Sequence, residues 1–142
     1  MAHENPTDKE LEELLTSSST IAVVGASANP DRDSHGIMKQ LQRAGFTVIP
    51  VNPRESEILG ERAYPSLSGI PIPVDIVDVF RRPEDTPSLA DEAVRIHARA
   101  FWLPEGVVSE EAMDRAKAGK LIAVMNLCIG ATVWRLGIKR PA

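Results

Sequence analysis

The chain has 142 residues, with 20 acidic against 16 basic side chains and a formal net charge of -4. That balance excludes nucleic-acid binding through a broad basic surface, because such affinity comes from phosphate neutralisation. The 43% hydrophobic and 25% charged content excludes a disordered chain, and a single cysteine, Cys128, excludes an intrachain disulfide.

The N-terminal segment carries Asp8, Lys9, Glu10, Glu12 and Glu13 where a secretory signal would be apolar, and no apolar run reaches bilayer length. A cytoplasmic protein is expected. Thr7-Asp8-Lys9-Glu10 has capping-box spacing, and Leu11, Leu14 and Leu15 form one apolar face, so a helix is predicted over 8–17.

Thr20–Val24 is a run of small and β-branched apolar residues ending at Gly25, the pattern of a buried parallel strand that stops in a tight turn. Ser34 is the expected cap of the following helix, whose apolar positions Ile37, Met38 and Leu41 precede Gly45. A second strand is predicted over Thr47–Pro53, with Pro50 removing one ladder donor. The segment 54–73, rich in Gly, Pro, Ser and Glu, reads as a loop with a helical turn near Leu67.

Val74–Phe80 gives a third strand, 87–98 a helix with Pro87 in its first turn, and 100–103 a fourth strand. Ser109 caps a helix closed by Gly119, and Leu121–Met125 is the fifth strand. Strands alternating with helices at these intervals imply right-handed crossovers and a parallel sheet covered on both faces. The expected fold is therefore α/β, a doubly wound, Rossmann-like three-layer arrangement of five parallel strands in the order 3-2-1-4-5. One domain is expected over 1–142, with its core at 20–128.

In such sheets ligands bind beyond the carboxyl ends of the strands. At the first of these tips, the leading amides of a helix and the positive end of its dipole favour a phosphate. Gly25-Ala26-Ser27-Ala28-Asn29-Pro30 has Ser27 and Pro30 where a dinucleotide fingerprint has its second and third glycines, and the second strand ends at the neutral Asn52. NAD is disfavoured, and no P-loop motif is present. Arg32, Arg54, Arg81 and Arg82 fall near the strand tips, where guanidinium groups suit a ligand with an additional phosphate.

The stretches Ile21–Ser27, Val48–Pro53, Val74–Arg81 and Trp102–Val107, in this order, resemble the small single-domain CoA-binding proteins. These are similar to the CoA-binding Rossmann domain of succinyl-CoA synthetase alpha chains and acyl-CoA synthetases. The resemblance implies coenzyme A or an acyl-CoA as ligand. It places Gly25, Ala26 and Ser27 at the pyrophosphate, with Val51, Asn52 and Pro53 walling the adenine and ribose. Arg54 or Arg32 would meet the 3′-phosphate, and Val79, Phe80 and Arg81 would line the other side. Pro104, Gly106 and Val107 follow the fourth strand, with Gly106-Val107 beside the pantetheine arm. Apart from the resemblance, His35 in the first turn of the predicted helix can either donate to a phosphate or serve as a helix-cap or surface residue. The segment after the fifth strand departs from the family pattern: Asn126, Leu127, Cys128, Thr132 and Val133 stand where an acidic residue, a cysteine and a Glu-His pair are usual.

No Ser/His/Asp order, Cys/His pair or metal-ligand spacing is visible, and His3, His35 and His97 converge in no motif. Asp75 and Asp78 fall on opposite faces of one strand, which argues against an acid/base pair, and Asp78 is expected to bind backbone donors near the strand end. Cys128 reads as a buried, inert thiol. The expected role is a binding or sensing module without catalysis. The alternatives are an NAD(P)-dependent oxidoreductase or nucleotide-sensing subunit, and a non-catalytic interaction subunit that uses 129–136 as a surface for a second copy or a protein partner.

Overall fold

The computed structural model describes residues 2–140. In chain order the elements are α1 (Asp8–Ser17), β1 (Thr20–Val24), α2 (Asp33–Arg43), β2 (Thr47–Val51), β3 (Glu57–Ile58), β4 (Glu61–Arg62), β5 (Ile76–Val79), α3 (Thr86–Arg95), β6 (Ala100–Trp102), α4 (Glu110–Ala118), β7 (Ile122–Val124) and α5 (Ile129–Arg135). Short 3-10 turns lie at Leu67–Gly69 and Pro83–Asp85.

Five of the strands form one parallel sheet in the order β2-β1-β5-β6-β7, and β3 and β4 form a separate antiparallel pair. Counting the five sheet strands along the chain, the order is 2-1-3-4-5, which corrects the expected 3-2-1-4-5. The outer edge of β2 is already taken. Tyr64 bridges to Val51, donates its amide to the Pro50 oxygen at 3.0 Å and accepts the Asn52 amide at 2.9 Å. The third sheet strand therefore lies on the far side of β1, where the Phe80 amide donates to the Val24 oxygen at 2.7 Å. Because the N–H and C=O of one strand residue point to the same side, the donor that Pro50 lacks faces the Tyr64 edge and takes nothing from the β1–β2 ladder.

Each face of the sheet carries its own apolar core. Ile21, Val23, Ile76 and Trp102 pack under α1, α2 and α5, through Leu11, Leu15, Met38, Leu41, Ile129 and Val133. Ala22, Val24, Val77, Val79, Phe101 and Leu103 pack under α3 and α4, through Ala90, Ala93, Ala112, Met113 and Ala116. Strands buried on both faces read as continuous apolar runs, as β1 does.

Side chains cap α1, α4 and α5, whereas α2 and α3 start without a side-chain cap. Thr7 and Glu10 form the capping box on α1, and Ser109 Oγ accepts the Ala112 amide at 3.1 Å on α4. Ser34, expected as the cap of α2, does not cap it: the helix starts at Asp33 behind Arg32, and no side chain caps it. The Ser34 hydroxyl instead accepts the Ser27 amide at 3.1 Å. The third strand begins at Ile76, later than predicted, although the Asp75 backbone still donates to the Thr20 oxygen and accepts the Ala100 amide; its carboxylate accepts the Ser19 and Thr20 amides at 2.7 and 3.1 Å.

Candidate functional site

The chain reverses its winding direction between β1 and β5, so the helices following these strands diverge to opposite faces and leave a crevice above their carboxyl ends. A cleft of about 1140 Å³ lies there. It runs across the tips of four adjacent strands, β2, β1, β5 and β6, a span of roughly 15 Å at the usual inter-strand spacing. Its volume exceeds the ~300–1,000 Å³ of ordinary small-molecule pockets and suits an extended ligand.

At the centre Gly25 turns with φ +82°, and a Cβ there would overlap the Phe80 carbonyl oxygen. Only glycine permits β1 and β5 to stay this close at the point where they part. The Gly25 amide donates to the Val51 oxygen at 3.1 Å and the Ser27 amide to Ser34 Oγ, so two of the three amides expected to face a pyrophosphate are already paired. The cleft-lining amides of Ala26, Asp33 and Ser34 have no acceptor among the described residues. They form the open donor set at the N-terminus of α2.

Beyond Ser27 the loop is fixed locally. Ser27 Oγ accepts the Asn29 amide at 3.1 Å, Asn29 Oδ1 accepts the Asp31 amide at 2.9 Å, and the Asn29 carbonyl accepts the Arg32 amide at 3.0 Å. Such side-chain turns hold the loop in one conformation before a ligand arrives.

Thirteen of the ligand-site residues singled out from sequence line the cleft: Gly25, Ala26, Ser27 and Arg32 from the first tip and helix start, Val51, Asn52, Pro53 and Arg54 from the second, Phe80, Arg81 and Arg82 from the third, and Pro104 and Val107 from the fourth. The structure leaves three outside the lining. Val79 is fully buried in the α3/α4 core. Gly106 turns with φ +86° and donates its amide to Asn126 Oδ1 at 2.8 Å, which ties the β6 tip to the β7 tip. His35, the third residue of α2, is not part of the lining.

Sequence reasoning missed one whole wall. Pro65, Ser66 and Leu67, brought in behind the β3–β4 hairpin, and Leu89 and Glu92 of α3 also line the cleft. Leu89 falls within the helix predicted over 87–98, but which helix faces the cleft depends on strand order. The lining is not uniformly basic: Asp31, Asp33, Asp85, Glu92 and Glu105 accompany Arg32, Arg54, Arg81 and Arg82.

A profile described as a CoA binding domain matches residues 19–133. The chain belongs to the CoA-binding domain family. Within or related to this family, the protein YneT of Bacillus subtilis is 46% identical over 126 residues, 89% of this chain and 93% of its own length. The solved structure of a hypothetical protein from Pyrococcus horikoshii OT3 is 36% identical with a TM-score of 0.89, covering 96% of this chain and 99% of that one. An ADP-forming acetate–CoA ligase I of Archaeoglobus fulgidus is 36% identical over 97 residues, 68% of this chain but 14% of the ligase. The Rossmann-like α/β architecture is thus that of CoA-binding domains, which also occur as parts of larger ligases.

Two titratable groups of this CoA-binding domain lie outside the cleft lining. Asp78, on β5 between Val23 and Trp102, is fully buried, and neither carboxyl oxygen has a partner. It does not bind the backbone donors expected for it, and burial pushes its pKa up to about 8. Cys128 is half-buried rather than buried, and its Sγ accepts the Ala131 amide at 3.4 Å at the start of α5. Among the described residues no group of three or more His, Cys, Asp or Glu could hold a metal ion, and no helix is long and apolar enough to cross a membrane.

Proposed function

We propose that this protein binds coenzyme A or an acyl-CoA along the carboxyl edge of its sheet, as a binding or sensing module without catalysis of its own. The observation that carries the reading is the cleft over the β1–β5 crossing, where open amides at the start of α2 stand beside two arginines, Arg32 and Arg54, that have no carboxylate partner among the described residues. Amides and the helix dipole suit the pyrophosphate, and the free guanidinium groups suit the phosphate ester on the ribose. The wall formed by Val51, Pro53 and Leu67 offers an apolar seat for the adenine, and Pro104, Val107 and Leu89 offer one for the pantetheine arm.

Membership of the CoA-binding family supports the ligand class. The test is calorimetric titration of the purified protein with CoA, acetyl-CoA, NADPH and NADH. Saturable CoA binding that NADPH does not reproduce is expected. No heat and no rise in Tm at millimolar CoA would sink the reading.

A further inference from the structure

The arginines of the cleft are not equivalent. Arg32 and Arg54 stand without carboxylate partners among the described residues, whereas Arg81 and Arg82 converge on one oxygen. Arg81 Nη2 lies 3.4 Å and Arg82 Nε 3.3 Å from Asp85 Oδ2. The Asp85 side chain is 24% exposed, against 46% for Arg81 and 74% for Arg82, so the carboxylate is the inner member of the group. Asp85 closes the 3-10 turn that runs into α3, with helical backbone at φ -85° and ψ -14°, and its carboxylate makes no capping bond. Its hydrogen bonds go to the arginines instead.

The pinned Arg81 side chain lies over the central turn. Its Cδ is 3.2 Å from where a Cβ on Gly25 would stand, so the stem of Arg81 crosses the glycine that opens the anion site. A ligand approaching that turn meets a guanidinium already engaged by Asp85.

We propose that Asp85 is an affinity-setting latch, competing with the diphosphate of the ligand for the Arg81 and Arg82 guanidinium groups. This rests on the CoA reading above. Exposed ion pairs of this kind are individually weak, whereas a phosphate offers more charge and geometry matched to a guanidinium fork. The exchange therefore favours a polyanion. The released carboxylate stays beside the positive end of the α3 dipole, which limits the cost of losing its partners. A ligand without phosphates has nothing to exchange and leaves the latch closed.

The experiment is titration of wild type and Asp85→Asn with CoA and with pantetheine, the phosphate-free portion of the ligand. Asparagine keeps the side-chain shape and is itself a good residue at a helix start, and unchanged Tm and circular dichroism confirm that the variant is folded. Asp85→Asn is expected to bind CoA about threefold to tenfold more tightly, with pantetheine unaffected. In a background carrying Arg81→Ala and Arg82→Ala the gain should vanish, which separates a latch from simple repulsion between Asp85 and the ligand. Equal or weaker CoA binding by the folded variant, or a gain that persists without the two arginines, overturns the latch while the CoA reading stands. Failure of the wild type to bind CoA overturns both.

Discussion

The Asn52 side-chain amide donates to the carbonyl oxygen of Ala26 at 2.7 Å. Its other end, Oδ1, accepts the Arg54 amide at 2.7 Å, so one neutral side chain ties the turn after β1 to the turn after β2. An amide serves both bonds because it carries a donor and an acceptor; a carboxylate carries only acceptors. Asn52→Asp would set an anion against the Ala26 carbonyl and add negative charge beside the proposed phosphate site. The expected result is a loss of about 1–3 kcal/mol in urea unfolding and at least a ~10-fold loss in CoA affinity. The variant should gain no NADH binding, since an acidic residue alone does not supply the missing glycines of a dinucleotide turn. A gain of NADH binding would revive the oxidoreductase alternative.

Gly25→Ala is expected to be among the most damaging single substitutions in the chain. The residue needs φ +82°, and the added methyl would overlap the Phe80 carbonyl oxygen, so β1 and β5 must separate at their tips. Strain at a positive φ together with a backbone overlap gives a loss of at least ~2 kcal/mol. Thermal unfolding checks this. Gly60→Ala, also at a positive φ but with nothing near its added Cβ, isolates the conformational part and should cost less.

Much of this architecture is legible along the chain, because local signals place it. The apolar run of β1, the Thr7–Glu10 capping box and the Ser109 cap are each written in a few adjacent residues. Strand order is not, because it depends on Tyr64 occupying the β2 edge, a contact between segments with no shared periodicity. The β3–β4 hairpin is equally hidden, since two-residue strands show no alternation. The candidate site follows the same division. Gly25, Asn52 and Arg81 are visible as strand-tip residues, whereas Ser66 and Glu92 join the cleft only through the tertiary arrangement. The Ser34 hydroxyl has cap chemistry at a cap-like position, but the neighbouring Ser27 amide competes for it and wins.

Removal of the unpartnered guanidinium groups should change ligand discrimination more than stability. Arg32 and Arg54 are exposed, line the cleft and make no ion pair among the described residues, so Arg32→Ala and Arg54→Ala should shift Tm little. If they meet the phosphate ester of the ribose, each variant should lose about 10-fold in CoA affinity and far less for dephospho-CoA. Parallel titrations with the two ligands give the ratio directly. An equal loss for both would move these side chains away from the ester and onto the diphosphate.

Asp78 makes the stability of the protein depend on pH in a direction unusual for a carboxylate. Its ordinary value is 3.8, and burial without any hydrogen-bond partner raises it to about 8 in the folded chain. The unfolded chain therefore releases this proton first. The contribution of the neutral carboxyl is fully present below pH 3.8 and is lost as the pH rises towards and through about 8. Across that window the loss is at most ~1.4 kcal/mol per pH unit. Salt-bridged carboxylates such as Asp8, held below its ordinary value by the Arg135 guanidinium, act in the opposite sense at lower pH. Asp78→Asn keeps the shape and cannot ionise, so the variant should be more stable than wild type at pH 8 and its stability should be nearly flat between pH 5 and 8. Urea unfolding at these two pH values measures both slopes. Parallel slopes would show that Asp78 is already charged in the folded protein, with a counter-group that the described side chains do not provide.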